Sequence, residues 1–189
     1  THIADVNCPN SKYLLRASQK IFAINPGAGT VRFTATDNAR DWTTVSDAGF
    51  LPTGLRSEGD PTPSGLSMFR KRLAVHHIDS TQLWTVDPDP ALMSLFENVQ
   101  GVGTRFGSSP GNVAGDVVFL ADQGYRSISV AVFQENLQDV DVGSPIDDLV
   151  VPEITPSLNP ITVYVQKTGQ LWSIIGNHAW VHTVSRLSK

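Results

Sequence analysis

The tripeptide Gln82-Leu83-Trp84 recurs as Gln170-Leu171-Trp172, 88 residues later, and each copy follows a strand–turn–strand pattern. Midway between them, Tyr125-Arg126-Ser127 sits in a third pattern of the same kind. A spacing of 44 residues is that of one β-propeller blade. Such a period constrains the chain more than any single motif does, because one small sheet cannot bury both its faces and must stack on its neighbours. The fold expected is all-β, built of β-propeller-like repeats of antiparallel blades, about 44 residues per repeat.

Four units follow, at approximately 13–50, 68–100, 112–140 and 158–189, within a single domain 1–189 that is one propeller or part of one. The first reads as strands over 13–18 and 20–24, a turn at Asn25-Pro26-Gly27-Ala28-Gly29, and a strand over 30–36. The second has strands over 72–78 and 82–86, and the third over 116–121 and 125–133. The fourth has strands over 161–165, 170–175 and 179–184. Hydrophobic alternation, β-branched residues and Gly or Pro at the turns carry these readings. Phe33, Trp84 and Trp172 are expected at one repeat position, packing blade against blade. Aligning Val31 with Leu83 lengthens the first step to 52, and a Pro- and Gly-rich loop over 51–65 takes up the surplus. The segment 135–153 holds six acids and no base, and is expected to join two blades across the surface. Asp89-Pro90 has the form of a helix start, with a blade-edge strand as the competing reading.

A chain of 189 residues with 40% hydrophobic and 17% charged residues has enough apolar material for a core, which excludes disorder throughout. A net charge of −4 argues against general nucleic-acid binding. A local basic patch is still allowed, and Arg70-Lys71-Arg72 is the one run of three basic residues. Cys8 stands alone, so no internal disulfide forms, and a reducing compartment is expected. No apolar run approaches the length of a membrane span. The chain opens at Thr1 and is read as a processed or excised part of something longer.

The remaining chemistry-bearing residues favour structural roles. His76 and His77 are neighbours on a strand and point to opposite faces, while His2, His178 and His182 lie in distant units. Asp87-Pro88-Asp89-Pro90 reads as a proline-stiffened turn, since it lacks the oxygen-rich pattern of a calcium loop. Asp139, Asp141, Asp147 and Asp148 read as loop acids rather than a catalytic pair. The stretch 35–42 is a degenerate Asp-box that keeps only Asp37 and Trp42. No catalytic residue, metal site or cofactor is expected, and no activity.

Val31-Arg32-Phe33-Thr34-Ala35-Thr36, Asp41-Trp42 and Ser46-Asp47-Ala48-Gly49-Phe50 resemble phrases in propeller proteins of tailed-bacteriophage virions. Gly101-Val102-Gly103-Thr104, Ser109-Pro110, Asp116-Val117-Val118-Phe119-Leu120 and Gly124-Tyr125-Arg126-Ser127-Ile128 carry the same resemblance, which spans roughly residues 12 to 175. The group is the connector-closing plug, nozzle and tail-tip proteins, whose usual members are much longer. The resemblance implies a structural protein of the virion tail, assembled in the host cytoplasm as a homo-oligomeric ring that closes or extends the DNA channel. Its partners would be other virion proteins, with non-specific DNA contact in the channel. Arg70, Lys71 and Arg72 are the residues expected to face a partner or DNA. A carbohydrate- or receptor-binding propeller of a tail tip is the alternative, followed by a sialidase-like glycoside hydrolase.

Overall fold

The computed structural model describes residues 3–57, 59–113, 115–133 and 142–183. Strands account for 42% of the chain and helix for 11%, so the all-β expectation holds. There are four antiparallel sheets. Sheet 1 runs β1 (Leu14–Ala17), β2 (Lys20–Asn25), β3 (Thr30–Phe33) and β4 (Gly49–Leu51). Sheet 2 runs β5 (Gly65–Phe69), β6 (Arg72–His76), β7 (Ser80–Thr85) and β8 (Ser94–Gln100). Sheet 3 is β9 (Gly111–Val113), β10 (Asp116–Ala121) and β11 (Gly124–Ser127). Sheet 4 is β12 (Ile161–Val165), β13 (Gln170–Ile175) and β14 (His178–Thr183). Within each sheet the strands lie in chain order, with tight hairpins at most connections and a long excursion over 34–48 between β3 and β4.

The sheets stack face to face in sequence order. Between sheets 1 and 2, Phe22, Ile24, Val31 and Phe33 meet Leu73, Val75 and Trp84. Between sheets 2 and 3, Phe69, Ala74 and Leu83 meet Val117, Phe119 and Ile128. Between sheets 3 and 4, Val118, Leu120 and Tyr125 meet Leu171 and Ile175. A strand in the middle of such a stack is buried on both faces and therefore reads as an unbroken apolar run. Leu73-Ala74-Val75 and the run from Val117 to Ala121 have this character, with alternate residues serving opposite interfaces. Between sheets, the first strands approach most closely: β1 lies beside β5, β5 beside β9, and β9 beside β12.

The connection from sheet 2 to sheet 3 is buried and stapled by polar groups. Thr104 N–H donates to the carbonyl of His77 (2.7 Å), and its hydroxyl donates to that of Leu120 (2.5 Å). Here glycine is required. A Cβ on Gly103 would stand 2.3 Å from the His77 carbonyl oxygen, and one on Gly107 would stand 2.1 Å from that of Ser64.

Three sequence expectations are corrected. The equivalence of the two Gln-Leu-Trp copies fails, because Gln82-Leu83-Trp84 lies on the third strand of its sheet and Gln170-Leu171-Trp172 on the second. Alternation along each strand then turns Trp84 toward sheet 1 and Trp172 away from sheet 3. Trp84 is buried (4% exposed), whereas Trp172 is 40% exposed. Phe33 and Trp84 do share one core, but they enter it from opposite sheets. What the copies share is local: each Trp indole N–H donates to the Gln two residues earlier, at 3.0 and 3.3 Å.

The second correction concerns the strand expected over 125–133. It ends at Ser127, and α1 (Ile128–Phe133) follows. Ser127 caps the helix, its Oγ accepting from Val130 N–H (3.2 Å), and the Asp116 carboxylate braces that cap by accepting from Ser127 Oγ (2.5 Å) and Ser129 N–H (3.0 Å). The third concerns Asp89-Pro90, where both readings are partly met. Asp89 caps one 3-10 turn over Pro90–Leu92, accepting from Ala91 N–H at 2.9 Å, and β8 then starts at Ser94. Within the loop 51–65 a 3-10 turn spans Thr53–Arg56.

Candidate functional site

Arg70 and Lys71 form the hairpin turn between β5 and β6, and Arg70 takes the left-handed conformation this turn needs (φ 56°). In a sequential meander the connections between strands 1–2 and 3–4 lie at one end. The Arg70-Lys71 turn therefore shares an end with the 86–93 connection, which carries Asp87 and Asp89. That end is mixed in charge rather than basic. Both turn residues are exposed, with the Arg70 guanidinium 4.9 Å from the Phe69 ring centroid. Arg72 is placed differently. It is half-buried on β6 with its guanidinium 3.5 Å from the centre of the Phe96 ring, a cation–π contact that holds it along the sheet. The three basic residues thus do not act as one cluster.

The histidines do not converge either. His76 is fully buried between sheets 2 and 3, its ring 5.0 Å from that of Phe119. Thr81 Oγ1 gives its proton to the Val102 carbonyl (2.9 Å), so it accepts from His76 Nδ1–H at 3.1 Å. His76 Nε2 is then an acceptor for the Ser67 hydroxyl at 2.8 Å. This chain requires a neutral imidazole, and burial pushes the His76 pKa down to about 3. Because the unfolded chain binds the proton near pH 6.5, stability is complete above that pH and falls as pH drops toward 3. The unfolding free energy is expected to fall by about 1 kcal/mol per pH unit below pH 6. Urea titrations of the wild type and His76→Gln would show it, the variant being less stable at neutral pH but with a shallower slope. His77 faces the other way, its Nδ1 3.2 Å from the Asp60 carbonyl oxygen.

The acids are similarly engaged. Asp147, in α2 (Asp147–Val150), accepts from Arg126 Nη1 (2.7 Å) and from Tyr125 N–H (3.1 Å). Arg126 also donates to the carbonyls of Tyr125 (2.7 Å) and Gln123 (2.6 Å), so the segment after sheet 3 is clamped onto β11. Asp147 is therefore structural rather than a solvated loop acid. Asp139, Asp141 and His2 lie outside the described residues. Asp87 accepts from Asp89 N–H at 2.9 Å, in keeping with a stiffened turn. At the degenerate Asp-box, Asp41 rather than Asp37 organises the turn. It accepts from the N–H groups of Thr43 (3.0 Å) and Thr44 (2.9 Å), and the Thr44 hydroxyl bond first, then those two, lower its pKa.

Lys20 is the group sequence reasoning missed. It is a lysine with no exposed side-chain surface, on β2. Its ammonium donates to the Asp47 carboxylate, to the Asp47 carbonyl (2.7 Å) and to the Thr34 carbonyl (3.2 Å). Asp47 also accepts from Thr36 N–H (3.0 Å) and Thr36 Oγ1 (2.8 Å). The Lys20 bond first, then those from Thr36, bring the Asp47 pKa down to about 2. The only trace in the sequence is Lys20 between Ala17 and Phe22, at an inward position of the strand alternation.

Among the described residues no group of three or more His, Cys, Asp or Glu is disposed to hold a metal. A groove beside sheet 1 is lined by Cys8, Pro9, Leu14, Arg16, Ile21 and Trp42, with the Cys8 thiol pushed up by burial. Among the described residues no helix is long and apolar enough to cross a membrane. No known protein family matches the chain, and no curated protein matches it with significance.

Proposed function

We propose that this chain is a structural assembly protein, its four sheets the blades of a propeller or of part of one. Within that class we assign it to the tail or head-to-tail connection of a bacteriophage, where it closes or extends the DNA channel. One observation carries the architectural part: four sequential meanders stack in chain order with their first strands innermost, as blades do around an axis. The phrases that resemble phage propeller proteins support the assignment to a virion. Several of their residues hold the stack together: Gly103, Thr104, Asp116 and Arg126 lock the middle sheets to their connections. The work is done by shape and interface, with no turnover. Its partners are neighbouring virion subunits, in a ring of copies, and DNA is touched non-specifically through the exposed Arg70 and Lys71.

The test is mass spectrometry of purified virions and tails from a phage that encodes this sequence. The polypeptide is expected in both, at a copy number fitting a ring. Its absence from the particle overturns the reading, and saturable binding on a glycan array would favour a receptor-binding propeller instead.

A further inference from the structure

Sheet 4 breaks the pattern of the other three. Its inner face, through Leu171 and Ile175, closes the core against sheet 3. Its outer face is equally apolar and, among the described residues, packs against no other sheet. Ile161, Val163 and Val165 of β12, Trp172 and Ile174 of β13, and Val181 of β14 are each 38–50% exposed. The register shows that these form one surface: Val163, Trp172 and Val181 stand side by side across the three strands, with Ile161 and Ile174 paired in the next row. None of the six is charged. An apolar exposure on the order of 500 Å² is at the upper end of what a monomer shows, and marks an interaction surface.

We infer that this outer face of sheet 4 is a self-association surface, packing face to face on the same sheet of a second copy about a two-fold axis. Two observations select that occupant. Two copies would bury roughly 1,000 Å² together, the lower bound for a specific interface. Charge decides between the two ways a second copy can dock. A head-to-tail contact would bring sheet 4 onto the outer face of sheet 1, where Arg16 and Arg32 lie in line with Leu14, Ile21 and Phe50. Two guanidinium groups would then be desolvated against a face with no carboxylate, which is unfavourable. Sheet 4 on sheet 4 carries no such cost, and a two-fold contact is closed by symmetry. The inference stands on the geometry of sheet 4 and does not require a role in a virion.

Sedimentation velocity across a concentration series tests it, on the wild type, Trp172→Glu, Val163→Lys and, as the head-to-tail control, Phe50→Glu. The wild type is expected to pass from monomer to dimer. Trp172→Glu and Val163→Lys should each weaken the dimer by roughly a hundredfold or more, with circular dichroism unchanged, while Phe50→Glu leaves it intact. A wild type monomeric at every concentration overturns the proposal, as does a dimer lost in Phe50→Glu but kept in the two sheet 4 variants. An assembly larger than a dimer that persists in Trp172→Glu also overturns it.

Discussion

Trp84→Ala is expected to destabilise the fold by about 3–5 kcal/mol, lowering the melting temperature by roughly 10 °C, while Trp172→Ala costs less than about 1 kcal/mol. The contrast follows from where the two identical tripeptides sit. Trp84 reaches back from β7 into the core with Phe22, Phe33, Leu73 and Val75. Removing the indole leaves a large cavity between two sheets whose backbones are fixed by their own ladders, so the site cannot collapse to fill it. It also deprives the buried Gln82 of a donor, although Gln82 Nε2 keeps its bond to the Thr53 carbonyl (2.9 Å). Trp172 lies on an open face and its partner Gln170 is reachable by water. Urea unfolding at a dilution where the chain is monomeric reads both values. Equal losses would mean that the tripeptides occupy one repeat position after all.

Asp47→Ala is expected to cost about 3 kcal/mol, at the low end for breaking a buried ion pair. The figure is moderated on two grounds. Solvent reaches the carboxylate, whose side chain is 35% exposed, and Lys20 keeps two carbonyl acceptors. The ammonium nonetheless has no exposed surface and would be left as a charge without a counter-charge. Lys20→Met combined with Asp47→Ala should recover part of the loss, because an apolar chain of similar volume then fills the site. The pH dependence gives a second signature. The Asp47 pKa is about 2 against the ordinary 3.8, so the stability it confers is present above about pH 4 and is lost as pH falls toward 2. Asp47→Ala should lack that acid limb, which begins at the acid end of the window in which His76 acts and continues below it. A double variant no more stable than Asp47→Ala would show that Lys20 is tolerated unpaired.

Much of the architecture was legible in the sequence because strands and turns are local. Alternation and turn residues place β1, β2, β6, β10 and the three strands of sheet 4 within about two residues, whereas β4 and β5 carry too little pattern to be read. Gln82 and Arg126, 44 residues apart, each lie on the third strand of their sheet. The next step fails because a Gln-x-Trp phrase encodes only a contact between residues two apart, and that contact suits any strand. Nothing in it states which strand of a sheet it occupies. The helix at Ile128 was hidden for a related reason: Ile-Ser-Val-Ala-Val has the alternation of a strand, and the Ser127 cap that turns the chain is held in place by Asp116, far back in the sequence. Lys20 with Asp47 and Arg126 with Asp147 were beyond reach because each pair closes over a loop of more than twenty residues. Arg70-Lys71-Arg72 looked like one patch because adjacency in sequence hides the alternation of faces that sends Arg72 onto Phe96.

Among the described residues every core joins sheets that follow one another along the chain, and none joins sheet 1 to sheet 4. Cohesion of that kind is one-dimensional, a sum over nearest neighbours, as in a column of coins rather than a closed ring. Sheets 2 and 3 are held from both sides and sheets 1 and 4 from one, so opening begins at the ends and amide protons in the middle are the last to exchange. The same linear order lets each sheet settle on its predecessor as it leaves the ribosome, without waiting for a distant strand to return.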